Sequence, residues 1–268
     1  MIVLVLALLF AGQVSQQPPT LPTAAPALKA TIRLQVGKVA APDANADAPL
    51  GNLGPIISTL LTPDGPVDID YVVAGESMRG DVHGRLGMFT RDTVILQRLS
   101  EDVIKVMNPG NRTWFELPAS ASLGSTMSAP DVQMEPTGET ATIAGQRAER
   151  FRFSETIRIP VPDGANLPAQ FPREIDLAGD LWSTDAFSGH DYAAIFRTLQ
   201  AAAALPGMEA LTAGGRFPLR IAVRSSMMPG YEIRSEVVSI GPARPSDSFF
   251  DVPKDYQQVQ FPAGSRRN

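Results

Sequence analysis

The 268-residue chain contains no cysteine. That absence excludes disulfides, thiolate metal ligands, iron–sulfur clusters and cysteine nucleophiles together. It also excludes the lipid-modified cysteine of a bacterial lipoprotein. Histidine is nearly as scarce: there are two, His83 and His190. They stand far apart, with no second histidine or carboxylate at ligand spacing, so no metal is expected. Basic charge is in short supply too, with 23 Lys and Arg against 28 Asp and Glu and a net charge of -5. Such a chain lacks the electrostatic footprint of a nucleic-acid or anionic-membrane binder. There is no Gly-rich phosphate loop and no dinucleotide fingerprint, so no cofactor is expected. No run approaches the roughly 20 apolar residues that span a bilayer.

What is present is a globular composition, 44% hydrophobic, in a chain long enough to bury a sizeable core. Residues Met1 to Phe10 read MIVLVLALLF, the length of a secretory h-region, although no Lys or Arg precedes them. Residues 1–17 are therefore read as a signal peptide, 18–27 as a Pro-rich flexible lead-in, 28–260 as a single domain and 261–268 as a disordered tail. The expected location is the periplasm or the outside of the cell.

Apolar periodicity is mostly two. Ile32, Leu34 and Val36 alternate with Arg33 and Gln35, and Val67, Ile69, Tyr71 and Val73 alternate with Asp68 and Asp70; both patterns predict half-buried strands. Val94 to Leu99, Val103 to Met107 and Thr113 to Leu117 read as a meander, with Asn108, Pro109, Gly110 and Asn111 as a turn. Gly138 to Ile143 and Gln146 to Ile159 form a hairpin about Ala144-Gly145. Within it Glu155 interrupts an apolar face, which marks a bulge or an exposed strand end. Ile175 to Trp182 reads as a further strand. Phe217 to Val223 and Tyr231 to Ile240 alternate around Pro229-Gly230, with Arg and Glu on one face. Two stretches read as helical: Gly51 to Thr62, and Gly189 to Ala204, where Tyr192, Ile195, Phe196 and Leu199 make a stripe at helical spacing. Together these predict an α+β fold, in which one main helix and minor helices cover an antiparallel sheet.

Catalytic patterns are weak. Gly75, Glu76, Ser77, Met78, Arg79 and Gly80 have the wrong spacing for a nucleophile elbow and lie between strands. Asp68 and Asp70 share a strand face about 7 Å apart by the strand rise, which is the ordinary wet face of an alternating strand. The expectation is a non-enzyme.

Three stretches carry a family resemblance: Thr93 to Pro118 (TVILQRLSEDVIKVMNPGNRTWFELP), Thr137 to Phe153 (TGETATIAGQRAERFRF), and Phe249 to Val259 (FFDVPKDYQQV), which holds Phe250, Pro253 and Tyr256. On these the chain resembles an uncharacterised bacterial envelope family, domain of unknown function 4412. That family is in turn similar to the lipoprotein-carrier (LolA/LolB-like) superfamily. The resemblance implies a curled antiparallel sheet, an open half-barrel whose helices cover a concave apolar face. It implies an exported, non-catalytic binding or carrier protein for a hydrophobic molecule, either a lipid or a lipoprotein acyl chain. The candidate lining residues are Trp114, Phe151, Phe153, Trp182, Phe196 and Phe217. The alternative is an envelope interaction or sensor module whose barrel is filled by its own side chains and which meets a protein partner. The closing motif is expected to act as an anchor, with its tyrosine covering the sheet edge.

Overall fold

Among the described residues twelve β-strands form one sheet. The computed structural model describes residues 27–39, 65–85, 89–98, 100–101, 103–118, 132–158, 173–187, 216–226 and 229–260. In chain order the strands are β1 (Leu28–Lys38), β2 (Val67–Ala74), β3 (Ser77–Val82), β4 (Val94–Arg98), β5 (Val103–Asn108), β6 (Thr113–Pro118), β7 (Gln133–Ile143), β8 (Gln146–Arg158), β9 (Glu174–Thr184), β10 (Phe217–Ser225), β11 (Tyr231–Pro242) and β12 (Gln257–Gln258). Their order across the sheet is β12-β6-β5-β4-β3-β2-β1-β11-β10-β9-β8-β7. The sheet is curled and open. All pairings between neighbours are antiparallel except that of β12 with β6.

β1 joins two meanders. Ile32 pairs with Ile69 of β2 on one side, and Val36 pairs with Ile233 of β11 on the other. This link spans most of the chain, so local sequence does not reveal it. The hairpins follow local rules. Ala144 and Gly145 both take positive φ, 48° and 76°, the two-residue turn whose twist matches the strands it joins.

Because strands alternate, each face has its own composition. The core face carries Ile32, Ile69, Ile95, Leu177, Leu181 and Val223, all buried in one cluster. Each such side chain contributes about 2 kcal/mol by leaving water. The outer face carries charge: Arg33 pairs with Asp68 at 2.7 Å, Arg220 with Glu236 at 2.9 Å and Arg150 with Asp180 at 3.0 Å.

One part of the outer face is apolar and covered. Val94, Leu96 and Met107 form a second cluster under Trp114, Val252 and Tyr256. The chain reaches it through a single 3-10 turn at Asp247–Phe250. The Arg79 guanidinium lies 4.6 Å from the centre of the Phe249 ring, and its Nη1 donates to the Phe249 carbonyl at 3.3 Å. Arg98 pairs with Asp251 at 2.7 Å. The chain then lays β12 along β6, so Gln257 and Gln258 run beside Thr113 and Trp114 and cover that edge.

The α+β expectation is corrected. Among the described residues there is no α-helix, and the 3-10 turn is the sole helical element. The physical reason lies in the pattern: the described elements carry an apolar period of two, which buries one side of a strand rather than a helical stripe. The stretches read as helical, Gly51 to Thr62 and Gly189 to Ala204, lie outside the described residues, as do the segments read as signal peptide and tail. Glu155 is corrected as well. It sits at neither a bulge nor an exposed end, because β8 and β9 pair without a register shift from Glu149 to Arg158, and Glu155 is only 5% exposed.

Candidate functional site

Among the described residues the core face is the largest continuous apolar surface, and buried polar groups interrupt it, Tyr71, Gln97, Glu155 and Ser183 among them. Tyr71 stands in β2 opposite Ala30, and its hydroxyl oxygen has no hydrogen-bond partner among the described residues. Burial pushes its ionisation well above the ordinary tyrosine range. Ser183 stands opposite Glu149, and its Oγ is likewise buried and unpartnered. Glu155 stands opposite Leu177, and its Oε1 has no partner among the described residues. Burial raises its pKa from 4.5 to about 7, because a charged carboxylate loses its hydration there and gains nothing in return.

Phe153 is held over this face by a glycine. It pairs with Gly179 across β8 and β9. A Cβ on Gly179 would lie 3.1 Å from Cε1 of Phe153 and 2.0 Å from the backbone oxygen of Ala222. Only a residue without a side chain fits between the ring and β10.

The candidate lining residues divide between the faces. Phe151 and Phe153 share the parity of Glu155 and pack in the main cluster. Arg216 closes the rim beside them, with its guanidinium 5.0 Å from the centre of the Phe151 ring and an ion pair to Glu149 at 2.8 Å. Phe217 is buried in the same cluster, edge-on to Phe187 at 5.8 Å. Trp182 pairs with Arg150 and Arg220 on the outer face, 5.8 Å from the Arg150 guanidinium. Trp114 is also on the outer face, in the patch beneath the C-terminal chain. Phe196 lies outside the described residues.

A concavity of about 380 Å³ is lined by Ser154, Ala178 and Ala222 together with Arg152, Asp180 and Arg224. Of its charged residues, Asp180 is paired with Arg150, and Arg224 with Glu232. Glu232, 5% exposed, lies between Arg224 and Arg234. Burial raises its pKa, and the two guanidiniums outweigh that and hold it below the ordinary value.

Elsewhere on the outer face Asp68 is bidentate with Arg33 at 2.7 and 2.8 Å, and that bond holds its pKa low. Asp70 accepts from the Thr31 hydroxyl at 2.6 Å and lies 3.3 Å from His83 Nε2. Burial raises its pKa, but Thr31, His83 and Lys29 together leave it lowered. These partners account for both carboxylates structurally. Among the described residues no group of three or more His, Asp or Glu is placed to hold a metal ion, and no helix is long and apolar enough to cross a membrane.

Sequence reasoning missed two features. Glu155 hides because an acid in an alternating strand reads as exposed. The closing motif is expected as an anchor with Tyr256 over the sheet edge, and Tyr256 does pack there; what has no local sign is the apolar patch of Val94, Leu96 and Met107 that it covers.

Among known proteins, no curated protein matches the chain significantly. One solved structure to which it is similar is that of a LolA superfamily protein from Nitrosomonas europaea. The alignment covers 84% of this chain and 90% of that one, at 10% identity and a TM-score of 0.31. A family model described as a domain of unknown function, DUF4412, matches residues 54–256. On that match, which takes in β2 through β11, the 3-10 turn and Tyr256, the chain belongs to the DUF4412 family.

Proposed function

We propose that this is an exported, periplasmic binding or carrier protein for a hydrophobic molecule, a lipid or a lipoprotein acyl chain, and that its part is binding rather than catalysis. The observation that carries the reading is the core face itself. It is a continuous apolar surface on a curled, open sheet, with Phe151, Phe153 and Phe217 in it. Such a surface binds by removing apolar area from water, at about 25 cal/mol per Å². The leader-like run Met1 to Phe10 supports export.

A photoreactive alkyl-diazirine amphiphile tests the reading. Adducts on core-face strands, at or beside Phe153 and Leu177, are the expected result. Adducts confined to the outer face, or none at all, would overturn it.

One observation favours a second reading, an interaction module with a filled interior. Ile69, Tyr71, Leu181 and Leu219 are each only 1% exposed, as in a core closed by its own side chains. On that reading the amphiphile labels nothing and the function lies with a protein partner.

A further inference from the structure

We propose that Glu155 is the polar recognition point of the core face and that it selects an apolar ligand bearing a protonated amine. This rests on the reading that the core face holds a ligand, and it adds the chemistry of that ligand's polar end.

The argument starts from what surrounds the carboxyl. Glu155 faces Leu177 across the strand pair. Two residues away on either side of Leu177 along β9 are Ile175 and Gly179, and Phe153 is the preceding core-face residue of β8. On the β7 side, Gln133 pairs with Ser154, which brings Val132, itself packed on the main cluster, beside Glu155. None of these neighbours carries a charge or a side-chain hydrogen-bond donor. Glu155 is only 5% exposed, and its Oε1 has no hydrogen-bond partner among the described residues.

Two other acids on this sheet are matched. Glu149, the other carboxylate of the same β8 face, is neutralised by Arg216 at 2.8 Å. Glu232, equally buried on the outer face, has two guanidiniums. Glu155 is thus a buried acid with no counter-charge among the described residues, an arrangement that costs free energy until a partner arrives. A cation from outside fits best. It brings a charge-assisted hydrogen bond to a buried carboxyl that lacks one, while its alkyl body lies along the apolar row. A carboxylate-headed amphiphile would place like charges together and is disfavoured.

The test is calorimetric titration of the full chain at about pH 8 with dodecylamine and with dodecanoate, both kept below micelle formation, where the two head groups carry opposite charge. The wild type is expected to bind the amine at least about tenfold tighter than the acid. Glu155→Gln and Glu155→Leu are expected to bring the two affinities within about twofold of each other. The leucine variant removes a destabilising group and so guards against a folding failure. An amine preference that survives in both variants would overturn the proposal, since it would come from the net negative surface. Equal binding of both probes by the wild type would overturn it while leaving the ligand-holding reading in place. Failure of both probes to bind the wild type would overturn the two together.

Discussion

Glu155 and Leu177 face each other across β8 and β9, so a carboxyl group and an aliphatic side chain share one buried row. The fold tolerates this at a cost set by pH. Between its ordinary value of 4.5 and about 7, the folded protein holds a proton at Glu155 that the unfolded chain has released. The folded state therefore binds more protons than the unfolded one in that window, and Glu155 lowers stability as pH rises through it. Glu155→Leu should stabilise the protein by roughly 3 kcal/mol above about pH 7, and the gain should shrink toward pH 4.5. Urea unfolding of both proteins at several pH values measures it. A gain independent of pH would show that the carboxyl does not change its protonation on folding.

Glu232 predicts the opposite slope. Its lowered pKa means that its contribution is present above the unfolded value and is lost as pH falls through the folded one. Replacing both Arg224 and Arg234 by methionine leaves a buried carboxylate unpaired, and should cost about 3 kcal/mol at neutral pH. Arg33→Met, at the exposed pair with Asp68, should cost under about 1 kcal/mol. Equal losses in the two experiments would mean that burial does not distinguish the pairs.

Gly179→Ala should be among the most damaging single changes in the protein. The new methyl would fall 2.0 Å from the Ala222 carbonyl oxygen, which belongs to backbone and cannot rotate away. A loss of about 3 kcal/mol or more is expected. Gly241→Ala is the control, since nothing lies within 4 Å of its Cβ position, and thermal unfolding should separate the two clearly.

Tyr256→Ala tests the C-terminal anchor. It removes part of the cover from Val94, Leu96 and Met107, and should cost about 2 kcal/mol. Hydrogen exchange should quicken in β4, β5 and β6 and remain slow in β9 and β10. Uniform quickening would mean that the anchor holds the whole sheet rather than this patch.

Much of the sheet was legible because strands write their burial in alternation. Val67 to Val73 announce β2, and Ala144-Gly145 places the β7–β8 turn. The faces of the two tryptophans were legible as well: Trp182 has the parity of Asp180 rather than of Leu177 and Leu181, and Trp114 alternates with Phe115 and Leu117. Trp182 nonetheless packs against the main cluster, whereas Trp114 lies in the outer patch. Two things had no local sign. The pairing of β1 with β11 joins residues some two hundred positions apart, and nothing in Leu28 to Lys38 names its partner. Glu155 looked like an interruption because alternation rules treat every acid as wet; only the buried row around it shows otherwise.

The central claim is that the core face holds a hydrophobic molecule. Native mass spectrometry of the full protein, purified without detergent, tests it most directly. The account predicts a stoichiometric adduct that is lost on organic extraction and regained when lipid is added back. A clean apo mass that does not rise when lipids are supplied would contradict it, and would leave the filled, partner-binding module as the reading of this fold.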